Sequence, residues 1–75
     1  MNPKKEIRLD VSELEPPQPL VLAVQAMQKL EEDESLLFIH RMYPCKLEEQ
    51  IQKFGLCFEI IKDEENYFEM RIQRC

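Results

Sequence analysis

The apolar pattern changes period once near the N-terminus, and that change limits the folds open to the chain. Ile7, Leu9 and Val11 alternate with Arg8 and Asp10, the period of a strand with one buried face. Beyond Glu15-Pro16-Pro17-Gln18-Pro19, apolar residues recur at Leu20, Ala23, Val24, Met27 and Leu30, the spacing of a helix with one buried stripe. Proline lacks a backbone donor, but the first helical turn has no use for one. The proline segment therefore predicts a helix entry, with the helix running over about 18–31. Glu31-Glu32-Asp33-Glu34 follows, with charges of the wrong sign for a helix C-terminus. That run has no evident purpose beyond solubility.

The rest of the chain repeats the alternation of elements. Ser35 to Arg41 is apolar with little alternation, as in a central strand. Tyr43-Pro44 breaks it, and Pro44 suits a helix start. Leu47, Ile51 and Phe54 then carry a short helical stripe that ends at Gly55, where a left-handed cap is wanted. Leu56 to Ile61 reads as a third strand, Asp63-Glu64-Glu65-Asn66 as a turn, and Tyr67 to Gln73 as a fourth strand with Phe68, Met70 and Ile72 inward. The order β-α-β-α-β-β within 75 residues predicts a single domain over 1–75. Its economical form is a two-layer α/β sandwich: a four-stranded mixed sheet with both helices on one face.

Composition narrows the function classes. With one glycine in the chain, a phosphate-cradling loop is not expected, because backbone amides approach phosphate closely only where side chains are absent. The net charge of -5 and the scattered basic residues disfavour nucleic acid, whose binding draws on Lys and Arg. No apolar run approaches the roughly twenty residues of a membrane span, and no secretory leader is evident. A cytoplasmic protein is expected. Cys45, Cys57 and Cys75 are odd in number and lack a Cys-x-x-Cys spacing, so three reduced thiols are expected.

The segment Leu9-Asp10, Leu14 and Pro16-Pro17-Gln18-Pro19-Leu20 resembles the opening of the TusA/SirA-like sulfur carriers, which show Leu-Asp, a leucine, then Cys-Pro-x-Pro at the first helix. The resemblance implies a sheet in the order 1-2-4-3 and a place near sulfur metabolism. The carriers' nucleophilic cysteine falls on Pro16, and a pyrrolidine ring cannot hold a persulfide. Pro-Pro-x-Pro, with His40 and Pro44 further on, is similar to a branch of that superfamily known as a domain of unknown function.

No catalytic residues, cofactor or metal site emerge from the pattern, but several positions merit tracking. Pro16, Pro17 and Pro19 fit a rigid helix entry or a docking surface, since rigid prolines lose little entropy on binding. Cys45 opens the second helix, where amides and the macrodipole favour a thiolate; the plain alternative is an unreactive small residue. His40, the single histidine, with Arg41 and Cys45, could frame a small-ligand site. As a metal site the group is incomplete, because two ligands do not make a tetrahedron. Glu48-Glu49 and Glu64-Glu65 read as solvated charges, since neighbours i and i+1 do not face each other on a helix.

The sheet face away from the helices is the remaining candidate. Strict alternation places Leu37, Ile39, Cys57, Ile61 and Tyr67 there among Arg8, Glu59, Glu69 and Arg71. That mixture suits a protein partner or self-association, or ordinary scattered surface hydrophobes. The expectation is a non-catalytic accessory or interaction domain. The alternatives are a sulfur or redox carrier using Cys45 and a small-ligand or metal-binding module near His40.

Overall fold

A computed structural model describes residues 5–75. The chain forms β1 (Lys5–Asp10), α1 (Gln18–Gln28), β2 (Glu34–His40), α2 (Cys45–Lys53), β3 (Leu56–Glu64) and β4 (Tyr67–Arg74). The sheet runs β1-β2-β4-β3. β1 pairs with β2 in parallel, and β4 is antiparallel to both β2 and β3. Element order, layers and sheet order are those expected.

The core lies between the helices and one face of the sheet. Leu36 and Phe38 of β2 sit opposite Ile72 and Met70 of β4, and Ala23, Met27, Leu47 and Ile51 of the helices close over them. Continuous burial of β2 explains its weak alternation: Ser35, Leu36, Phe38, Ile39 and His40 are all buried, as a strand with neighbours on both sides requires. Phe54 stays partly exposed, because α2 ends at Lys53 and the chain turns away. Gly55 has φ 70°, the left-handed cap its position called for.

Three features depart from the simplest reading. α1 stops at Gln28, yet Leu30 remains buried just past it. The acidic run has a structural use: the Glu34 carboxylate accepts the Glu31 N–H at 2.9 Å, and the Glu34 N–H returns to the Glu31 carbonyl. A tight turn into β2 results. In β3 the register shifts between Ile60 and Lys62, so Ile61 is a bulge residue and alternation breaks there.

The expectation of three reduced thiols is corrected. Cys57 and Cys75 form a disulfide with Cα atoms 5.1 Å apart, and only Cys45 is free among the cysteines. Cys57 sits opposite Gln73 in the β3–β4 ladder, so the residues just after Gln73 come alongside it. A separation of 18 residues carries no local signature, and an odd cysteine count does not forbid one pair. The pairing also removes the support that reduced thiols lent to a cytoplasmic location.

Candidate functional site

The carboxyl ends of β1 and β2 lie beneath the first turns of both helices, and a cleft of ≈ 350 Å³ opens there. Its α1 side is made by Pro16, Pro17 and Pro19. Phe38 and His40 of β2 contribute its base, and Met42, Cys45 and Lys46 belong to its α2 side. Open α/β folds commonly bind ligands at this end of the strands. Sequence positions far apart thus converge: the proline entry, His40 and Cys45 share one cavity.

Local structure fixes the rim. The Asp10 carboxylate accepts the Ser12 N–H at 3.0 Å and the Ser12 hydroxyl at 2.7 Å. Those bonds hold the Asp10 carboxyl below its ordinary range and pin the chain as it leaves β1. Val11 N–H donates to the Ile39 carbonyl, and Leu14 N–H to the Val11 carbonyl. Arg41 donates from Nη2 to the Leu14 carbonyl at 3.3 Å. Arg41 therefore braces the loop before α1 and is not among the lining residues. Across the cleft, the Tyr43 hydroxyl donates to Glu48, and its ring meets Phe68 edge-on with centroids 5.4 Å apart. The bond to Glu48, with burial and the carboxylate charge, raises the Tyr43 pKa.

His40 is 5% exposed and meets the Phe38 ring edge-on, with centroids 5.9 Å apart. Its Nδ1 is buried without a hydrogen-bond partner. Burial first, and then the Arg41 charge, push its pKa below 6.5, so the ring is neutral at neutral pH. A buried N–H without an acceptor is costly, whereas a bare acceptor is better tolerated. The single proton therefore belongs on Nε2. A metal bound through Nε2 would reverse this arrangement and require Nδ1–H, the proton that metal-bound histidines usually donate to a second acceptor. No such acceptor is present. Among the described residues no group of three His, Cys, Asp or Glu side chains is placed to hold a metal ion.

The helix starts supply what the sequence did not disclose. Neither α1 nor α2 has a side-chain cap. The backbone N–H groups of Leu20, third in α1, and Lys46, second in α2, have no backbone acceptor among the described residues. Both residues line the cleft. The missing Ser, Thr, Asp or Asn before each helix was the available signal. Cys45, exposed and free, is the first residue of α2.

The other tracked positions lie elsewhere. Leu37 is half-buried, and Ile39 is 1% exposed although it faces away from the helices, opposite Asp10 and Glu69. Several polar groups on that face pair with one another. Arg71 reaches Glu6 at 3.2 Å and Glu59 at 3.4 Å. The Tyr67 hydroxyl donates to Glu69 at 2.6 Å, while Lys62 Nζ lies 5.8 Å from the Tyr67 ring centre. Ile61, at the bulge, is 37% exposed. No helix among the described residues is long and apolar enough to cross a membrane.

A family model for the sulfurtransferase TusA matches residues 7–74. No curated protein and no solved structure gives a match. The matched span runs from within β1 to the last residue of β4, taking in both helix entrances and the cleft between them. The chain belongs to the TusA sulfurtransferase family.

Proposed function

We propose that this chain is a non-catalytic accessory member of the family that works by recognition at the helix-entrance cleft. Carriers of this type present a cysteine in Cys-Pro-x-Pro at the start of α1 and act through contact with other proteins. Here that cysteine position falls on Pro16, within the Pro-Pro-x-Pro that resembles the branch of unknown function. One observation carries the reading. The α1 side of the cleft is proline at positions 16, 17 and 19, where nothing can carry transferable sulfur, yet an open cavity lies beside them. Rigid apolar walls lose little entropy when a partner binds. The bare sheet face is the weaker candidate, because Arg71 and Tyr67 are already engaged there and Ile39 is already covered.

A second reading is favoured by one fact: Cys45 is a free, exposed thiol on the same cleft. A displaced carrier would take the terminal sulfur of a desulfurase persulfide onto the Cys45 thiolate, releasing the donor cysteine as thiolate. The two readings separate in one experiment. The protein is incubated with a cysteine desulfurase and cysteine, then weighed intact alongside Cys45→Ser. Recognition without transfer leaves both masses unchanged; sulfur added to the wild type alone establishes the carrier. A metal-binding module receives no support from the unpartnered His40 Nδ1. Arg41, engaged with Leu14, is a brace on either reading.

A further inference from the structure

We propose that the cleft receives the carboxylate of a small apolar acid, held by the Leu20 and Lys46 backbone N–H groups and by His40 Nε2–H, with its hydrocarbon part against Phe38 and the prolines. This rests on the recognition reading above and names the class of ligand.

Three observations converge on it. Both helices begin at the cleft without side-chain caps, so two positive dipole ends meet at one cavity, whose lining includes Leu20 and Lys46, the residues with unmet amide donors. Helix starts alone would not define a site. The second element is His40, nine-tenths buried, unpartnered at Nδ1 and lining the same space. With its proton on Nε2 it is a neutral, fixed donor. Third, the Lys46 side chain adds a cation at the rim, while the carboxylate next in α2, Glu48, is engaged by the Tyr43 hydroxyl. Helix starts, an imidazole and a lysine thus meet at one cavity of a chain with net charge -5.

Size and wall chemistry decide the rest. A volume of ≈ 350 Å³ falls at the small end of ligand cavities, enough for one ring or a branched chain beside a carboxylate. Proline, phenylalanine and methionine side chains offer no partner for a polar body. A phosphate is poorly matched: its sites favour amides bared by glycine, and the single glycine, Gly55, lies past the far end of α2. A carboxylate needs two to four donors, which is what the cleft presents.

The test is a heteronuclear NMR titration of the full chain with phenylacetate and isovalerate, against phenylacetamide and an acetylated tripeptide ending in phenylalanine. Both acids are expected to move the Leu20 and Lys46 amide and His40 ring resonances. Phenylacetamide should bind roughly ten-fold or more weakly, because hydrogen bonds to a charged acceptor outweigh neutral ones. His40→Phe should weaken phenylacetate by about ten-fold, and Lys46→Met by roughly two- to five-fold. If His40→Phe does not fold, the acid and amide compared on the wild type decide alone. No shift at these amides with millimolar acid, equal binding of acid and amide, or tighter binding of the tripeptide overturns the proposal. If the acids fail but cell extract still perturbs the cleft, recognition survives and only the ligand class is lost; if both fail, both are lost.

Discussion

The helix-entrance cleft and the bare face of the sheet both mix apolar side chains with polar ones, and they end in opposite conditions. On the bare face most of the charged groups are paired: Arg71 sits between Glu6 and Glu59, and the Tyr67 hydroxyl bonds to Glu69. Ile39 at its centre is covered by the chain itself. In the cleft, two amide donors and the His40 Nδ1 are unmatched, and the cavity stays open. A surface that completes its own hydrogen bonds has little left to offer a partner. One lined by residues with unmatched polar groups has hydrogen bonds left to offer something outside the chain.

The sharpest way to break this contrast is Ile39→Asp. If the bare face is part of the fold, a carboxylate at a site 1% exposed should cost about 3 kcal/mol or more, seen as a lower midpoint in urea unfolding. Leu37→Asp, at a half-buried position, should cost clearly less. A stable Ile39→Asp protein that only loses association would return that face to candidacy as an interface.

The disulfide comes next. Reduction, or Cys57→Ser with Cys75→Ser, should lower stability by about 3 kcal/mol for a loop of this length. NMR resonances of the cleft should not move, because Cys57 begins β3 and Cys45 follows the carboxyl end of β2, at opposite ends of the sheet. Displaced cleft resonances would show that the two ends are coupled.

His40→Phe should act with the opposite sign. Replacing a buried, unpartnered nitrogen by apolar atoms is expected to leave stability unchanged or raise it by about 1 kcal/mol, while binding suffers. The pH dependence follows from the lowered pKa of His40. The unfolded chain takes up the proton first as pH falls below 6.5, so stability is full above that value and declines on acidification. His40→Phe should flatten this part of the profile measured by urea unfolding. An unchanged profile would show that the ring does not titrate differently on folding.

Arg71→Met should have the smallest effect. Its carboxylate partners are largely solvated, with side-chain exposures of 43% and 66%, and such pairs are worth about 0–1 kcal/mol. A larger loss in thermal or urea unfolding would mean that the charge network, rather than Ile39 and its neighbours, holds the face together.

Much of this was legible in the sequence because it depends on period. The change from alternation at Ile7, Leu9 and Val11 to helical spacing from Leu20 is local, and Gly55 marks a helix end by a conformation that few residues tolerate. What stayed hidden depends on three-dimensional closure. The Cys57–Cys75 bond exists because β4 runs antiparallel to β3, which no spacing rule encodes. The Ile61 bulge inserts a residue without changing local composition. Ile39 is buried although its face is the bare one, which alternation within β2 does not show. The candidate site was visible in two pieces, the proline entry and the group of His40, Arg41 and Cys45, but not as one cavity. Arg41 looked like part of it until its guanidinium was found on the Leu14 carbonyl.

The direct measurement is a heteronuclear NMR comparison of isotope-labelled protein alone and in clarified extract of its own cells. Perturbations confined to Leu20, His40, Met42 and Lys46 are the expected result. Perturbations centred on Arg8, Leu37, Tyr67 and Arg71, with the helix entrances silent, would contradict the assignment of recognition to the cleft.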